Sequence, residues 1–240
     1  MHNNHSDIEP KRVDLRGVKV YAFPDRDALI DYADARKGLV VAVNAEKILN
    51  ANDLTRSIIN NNIGYTDGSG AVMAVRQKGA DAVKIAGCEL WLSIIDRFHG
   101  SKSFYIIGAK PKVHEATVAK LRTLYPDINI VGSHHGYLDG EAGRQALIDD
   151  VADKKPDVVF VAMGSPTQEL LMADMFKRHK AIYQGLGGSF DVFTGTVQRA
   201  PKWWIDHNLE FAYRLIKQPK RIKRNIKYVV YAWWLLTHNF

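Results

Sequence analysis

With 240 residues and 46% hydrophobic content, the chain can bury the core of one large domain, or of one domain and an appendage. Its single cysteine, Cys88, excludes an internal disulfide, suits a reducing compartment and reads as a small buried residue opening a helix. The formal net charge of +7 lies at one end: residues 199–240 hold nine Lys and Arg against two acids, and the preceding residues balance. Charge confined to one end argues against a nucleic-acid partner, which needs a basic face.

Met1–Arg12 is polar, lacks the apolar stretch of a signal sequence and is expected to be disordered. Val18–Phe23 reads as a strand and Asp25–Arg36 as a helix capped by Asp25. The β-branched run Leu39–Val43 suits a buried parallel strand. Two helical pieces follow, Ala45–Asn50 and Asn52–Asn60, then a strand at Ile63–Thr66 and a helix reaching about Lys78. Further on, Glu89–Phe98 is helical, Ser103–Ile107 a strand and Lys112–Tyr125 a helix. Asn129–Val131 is a short strand opening into Gly132-Ser-His-His-Gly136-Tyr137. Helix Glu141–Lys154, strand Val158–Ala162, helix Gln168–Lys180 and strand Ala181–Gln184 complete the body.

Pro201 and Pro219 divide the tail into two helical segments. On a helix, Ile222, Ile226, Val229, Trp233 and Leu236 form one stripe, with Lys220, Lys223, Arg224 and Lys227 opposite. Tyr228–Leu236 is uncharged, but such a segment reaches only about 14 Å against a hydrocarbon core of roughly 30 Å and cannot span a bilayer. Four of the five tryptophans lie in this tail. The pattern suits a helix in the interface of an anionic membrane; the plainer alternative is a helix docked on the body with its basic face in solvent.

Strands alternating with helices through short Gly-containing turns predict an α/β fold: a Rossmann-like, mostly parallel sheet with helices on both faces, plus a basic helical C-terminal appendage. The expected division is a disordered 1–12, a catalytic or ligand-binding α/β core over 13–198, which the resemblance given below makes a nucleotide-sugar-binding one, and a membrane-associating appendage over 199–240.

In such sheets ligands sit beyond the carboxyl ends of the strands. The residues there are Asn44, Asp67 with Gly68, Gly108, Gly136 with Tyr137, Gly164, and Gly187 with Gly188. Most are glycines, which let backbone approach a phosphate or sugar closely. Asp67 can accept a proton from an incoming hydroxyl, or simply cap a turn or helix. Gln168, in the first turn after Gly164-Ser-Pro-Thr, can hydrogen-bond a ligand, and Asp191 can accept from a ribose or base.

Familiar alternatives fail. Gly185-Leu-Gly-Gly-Ser-Phe190 lacks the third glycine of a dinucleotide fingerprint, and no P-loop motif occurs. Asp25-Arg-Asp27 has the spacing of a metal-binding DxD, but helix capping explains it better. His134-His135 lacks ligands at metal spacing. No cofactor is expected.

Six segments together carry a resemblance. Asn44-Ala-Glu-Lys47, Thr66-Asp-Gly68, Gly164-Ser-Pro-Thr-Gln-Glu169, Gly187-Gly-Ser-Phe-Asp-Val-Phe-Thr-Gly195, Arg199-Ala-Pro-Lys-Trp203 and Leu209-Glu-Phe-Ala-Tyr-Arg-Leu215 resemble, in order, the WecG/TagA/CpsF glycosyltransferases. The departures are Thr66, Thr167, Asn208 and Phe211. Within the family the chain is most similar to the branch that transfers N-acetylmannosaminuronic acid in enterobacterial common antigen synthesis.

The resemblance implies an inverting, metal-independent transferase using a UDP-sugar donor and GlcNAc-diphosphate-undecaprenol, at the inner face of the plasma membrane. It implies Asp67 as general base, Gln168 as a substrate-positioning residue, and Arg214, Arg221 and Arg224 as charges supplied by the appendage. Arginines suit the diphosphate charge that builds as UDP leaves. A uronate donor needs a further cation, for which Lys47 is the candidate. Transfer of uncharged N-acetylmannosamine to the same lipid, a membrane-tethered nucleotide-binding module without turnover, and a Trp-rich nucleic-acid binder are the competing readings. A homo-oligomer is compatible with the sequence.

Overall fold

The computed structural model describes residues 9–207, 213 and 227–240. Eight strands form one sheet: β1 (Arg12–Leu15), β2 (Val18–Tyr21), β3 (Gly38–Val43), β4 (Ile63–Thr66), β5 (Ser103–Gly108), β6 (Asn129–His134), β7 (Val158–Ala162) and β8 (Ile182–Gly185). Their order is β1-β2-β4-β3-β8-β7-β5-β6, with every pairing parallel except β1 with β2. The α/β Rossmann-like expectation therefore holds.

The helices sort onto two faces. On the first lie α3 (Asp53–Asn60), α4 (Ser69–Gln77), α7 (Gly140–Lys154) and α8 (Thr167–Arg178); on the second lie α1 (Arg26–Arg36), α5 (Gly87–Phe98), α6 (Pro111–Leu124) and the short α9 (Ser189–Phe193). The strands feed both layers by alternation. In β7, Val159 and Val161 join the first core while Val158, Phe160 and Ala162 join the second, so the run is apolar throughout. Trp91 of α5 anchors the second core, packing edge-on against Phe160 and Phe193. The remaining helices are α2 (Ala45–Leu49), α10 (Lys202–Asp206) and α11 (Lys227–Leu236).

The structure corrects several expectations. Order begins before residue 13: Arg12 opens β1, its guanidinium bonds the Asn60 carbonyl at 2.5 Å, and Lys11 accepts the Ala22 N–H at 2.8 Å through its backbone carbonyl. Residues 1–8 lie outside the described residues. β6 runs on to His134 instead of stopping at Val131. Ser189–Phe193, to which the sequence assigned no element, forms a helical turn that carries Asp191. Cys88 opens α5 as expected but is only half-buried.

Described residues of the tail are helical at Lys202–Asp206 and Lys227–Leu236. α11 docks on the body. Tyr231, Trp234 and Leu235 pack with the first core, Arg16 of the β1–β2 turn stacks 4.1 Å over Trp234, and Lys227 reaches Asn50 at 2.7 Å. The opposite face stays outside: Val229, Trp233 and Leu236 are 71%, 62% and 78% exposed. The helix is therefore docked on the body through one face, with Lys227, expected to face solvent, bonded to the body. No helix among the described residues is long and apolar enough to cross a membrane.

Candidate active site

All parallel strands point one way, so the turns after β2 to β8 share one edge of the sheet. Connections leave β5 and β7 in opposite directions, one outward to β6 and one inward to β8, and ligands of open α/β sheets bind at such a switch point. Gly108 ends β5 there at φ +121°, and a Cβ on it would fall 2.3 Å from the Ala162 carbonyl oxygen. The neighbouring turns are stitched by backbone bonds: Ala109 N–H donates to Ala162 (2.8 Å), and Gly136 N–H donates to Ala109 (2.8 Å). Ala109 itself takes a left-handed φ of +61°, unusual for a residue with a side chain. Beyond Gly136 the Tyr137 ring is 59% exposed, an open aromatic surface at the end of the edge.

A histidine group lies beside it. His134 Nδ1 is 2.6 Å from the His135 carbonyl, the two rings are 4.6 Å apart, and His135 Nδ1 accepts the Tyr137 N–H at 3.3 Å. His114 sits beneath them, and burial pushes its pKa down. Among the described residues no group of three or more His, Cys, Asp or Glu has the geometry of a metal site. Asp25 accepts the Ala28 N–H at 2.7 Å as the cap of α1, which accounts for that half of the DxD pair.

Towards the centre of the edge, Gln168 and Glu169 open α8. Gln168 is 4% exposed; its Oε1 accepts the Gly187 N–H at 2.9 Å and its Nε2 donates to Glu169 Oε1 at 3.1 Å. Gly185 leaves room for the Gln168 amide, since a Cβ there would fall 2.4 Å from Gln168 Nε2 and displace it. Gln168 therefore ties the turn after β7, where Gly164 lies, to the turn after β8, where Gly187 and Gly188 lie. Lys47 of α2 has a partner of its own: its Nζ is 2.6 Å from Glu169 Oε1, and the two side chains are 16% and 4% exposed. Asn44 caps α2 through its Oδ1 and the Lys47 N–H, 3.0 Å.

Asp67 follows β4 on the far side of β3. Its N–H donates to Val43 (2.9 Å), and its Oδ1 accepts from Gly87 N–H, the opening of α5, at 3.4 Å. It does not cap the helix that follows it; Gly68 holds that place at φ +108°, with no side-chain cap bond. The positive end of α5 favours a carboxylate here. Gln184 Nε2 donates to the Gly87 carbonyl at 3.2 Å, and a Cβ on Gly87 would lie 2.9 Å from the Tyr65 hydroxyl, so the start of α5 is held beneath Asp67. The low dielectric around fully buried Tyr65 raises its pKa well above the ordinary range.

One cluster escaped the sequence reading. Glu89 in the first turn of α5 bonds Arg26 and Arg199, each at 2.8 Å. Burial pushes its carboxyl up, and the Arg199 and Arg26 guanidinium groups outweigh that and hold it below the usual range. The bond from Arg199 fastens the start of the tail to the rim of the site. An acid in a helix's first turn has too many ordinary explanations to be singled out from sequence.

The structure thus sets Asn44, Asp67, Gly68, Gly187 and Gly188 in the turns after β3, β4 and β8, with Lys47 and Gln168 in the helices α2 and α8 beside them, and Gly108, Gly136, Tyr137 and Gly164 at the ends of β5, β6 and β7. Asp191 lies in α9 beyond β8. It does not bring Asp67 and Tyr137 together: β4 and β6 are five strand spacings apart, roughly 24 Å. Arg214, Arg221 and Arg224 fall outside the described residues. Against the family of the glycosyl transferases WecG/TagA/CpsF, the match runs over residues 13–240, body and tail together. With a parallel sheet whose carboxyl edge carries these turns, the chain belongs to the WecG/TagA/CpsF glycosyltransferase family.

Proposed function

We propose that this protein transfers N-acetylmannosaminuronic acid, with inversion and without a metal, from its UDP-sugar to GlcNAc-diphosphate-undecaprenol. The observation that carries the reading is the placement of Asp67. It is a carboxylate at the mouth of a strand, supported by the start of α5, on an edge whose other turns are glycine-rich. An acceptor hydroxyl beside Asp67 gives up its proton to the carboxylate as its oxygen attacks the anomeric carbon, and UDP leaves from the opposite side. The five strand spacings from β4 to β6, roughly 24 Å, suit an elongated ligand, with sugar and acceptor near β4 and the nucleotide towards β5 and β6. Gln168 acts in this scheme by fixing the Gly187 turn, and Asp191 and Tyr137 face the nucleoside. Arg214, Arg221 and Arg224 are proposed to balance the diphosphate charge.

One observation favours the second donor, UDP-N-acetylmannosamine. Lys47, the cation considered for the uronate, is already engaged by Glu169. Incubation with a GlcNAc-diphosphate lipid and each UDP-sugar, with EDTA present, followed by mass spectrometry of the product, decides between the donors. A hexosaminuronate product supports the first reading and a neutral hexosamine product the second. Absence of any product with UDP still bound would leave a nucleotide-binding module.

We further propose that the exposed face of α11 rests on an anionic bilayer on the cytoplasmic side, where the lipid acceptor is held. Val229, Trp233 and Leu236 lie at i, i+4 and i+7 and all point outward. Replacing the three by Ser is expected to lower the partition coefficient onto vesicles of anionic lipid at least tenfold, the equivalent of about 1.4 kcal/mol. Sedimentation with the vesicles measures this, and binding equal to the parent's would remove α11 from the membrane contact.

A further inference from the structure

α11 and the Asp67 turn meet at one side chain. Tyr231, 3% exposed, projects from the face of α11 turned towards the body, and its hydroxyl donates to the Gly70 carbonyl at 3.1 Å. Its ring lies so close that a Cβ on Gly70 would be 3.2 Å from Tyr231 Cε1 and 3.7 Å from Ala45 Cβ. Gly70 is the second residue of α4, three beyond Asp67; Ala45 is the first residue of α2, directly after Asn44. Tyr231 therefore stands against the first turns of the two helices that leave β4 and β3. α4 has no side-chain cap of its own, and its far end is also tied to α11, by Gln77 Nε2 donating to the Leu235 carbonyl at 2.7 Å.

We infer that Tyr231 is a positioning residue through which the seating of α11 sets the first turn of α4, and with it the Asp67–Gly68 turn. Removing the ring frees that turn on one side, and a displacement of about 1 Å at a reacting group can cost on the order of 100-fold in rate. The same helix presents Val229, Trp233 and Leu236 on its other face, so whatever takes up that face also bears on whether Tyr231 stays seated. The kinetic half of the inference rests on the transfer reading above; the mechanical half rests on the contacts alone.

The test uses full-length Tyr231→Phe and Tyr231→Ala with a short-chain, water-soluble GlcNAc-diphosphate acceptor, so that membrane binding does not enter. Tyr231→Ala is expected to lower kcat by about 10- to 100-fold, with KM for the UDP-sugar within about twofold because the nucleotide turns are untouched. Tyr231→Phe keeps the ring and is expected to lose about threefold to tenfold, the share of one hydrogen bond. In parallel, hydrogen exchange of the amides of residues 68–74 should quicken in both variants while those of β7 stay as in the parent. A kcat equal to the parent's in Tyr231→Ala, or unaltered exchange over residues 68–74, overturns the inference. Should Tyr231→Ala fail to fold, the Phe variant decides by the same two readouts. If the parent makes no product from any UDP-sugar, the transfer reading fails, and the exchange measurement decides the mechanical half by itself.

Discussion

Lys47→Met is expected to lower stability by about 3–5 kcal/mol, the usual cost of leaving a buried carboxylate without its partner. Glu169 is almost wholly inside, its Oε1 takes both Lys47 Nζ and Gln168 Nε2, and its Oε2 has no hydrogen-bond partner among the described residues. With the ammonium removed, only one amide N–H would face the charge. Urea unfolding should show a lower midpoint with the slope unchanged, since the surface exposed on unfolding stays the same. The double variant Lys47→Met with Glu169→Gln separates charge from packing: the amide keeps an acceptor for Gln168 and carries no charge, so most of the loss should return. A single-variant loss below about 1 kcal/mol would mean that the pair behaves like a surface ion pair. The experiment also bears on donor choice, because a change in sugar selectivity in Lys47→Met counts only if it persists in the double variant, where the Gln168 turn is kept.

What could be read ahead of the structure follows from how far apart the interacting residues lie in sequence. The parallel strands announce themselves locally, as short β-branched runs such as Val158–Ala162 that are buried on both faces. β1 does not: Arg12-Val-Asp-Leu15 alternates charged and apolar residues, and as the antiparallel edge strand it needs only one buried side. The end of β6 is hidden for a related reason, since Gly132, Ser133 and His134 are polar or small and pair only with β5 at the opposite edge. At the site, the turns bearing Asp67, Gly164 and Gly187 were legible from glycine placement after strands. Their partners were not. Lys47 meets Glu169, Arg199 meets Glu89, and Tyr231 meets Gly70, each joining segments more than 100 residues apart. The tail helix shows the same limit in another form: an all-round apolar segment says that something covers it, and only the fold says which side belongs to the protein.

Asp67→Asn is expected to reduce kcat by roughly 10²–10⁴-fold, the range for loss of a general base. The substitution is nearly isosteric, and the amide oxygen can still accept the Gly87 N–H that the carboxylate now takes at 3.4 Å. The Asp67 backbone bond to Val43 and the left-handed Gly68 that follows are untouched. Structure, stability and UDP affinity should therefore stay near the parent's, and the deficit should lie in the chemical step. Single-turnover measurement with donor and acceptor preincubated isolates that step from binding and release. Asp67→Ala supplies the control, since it also loses the acceptor for Gly87 and so weakens the start of α5. If the carboxylate serves as base, Asn and Ala should be comparably slow. If its part is only to hold α5, Asn should retain activity within about threefold of the parent while Ala does not, and the base would have to be sought elsewhere on the same edge.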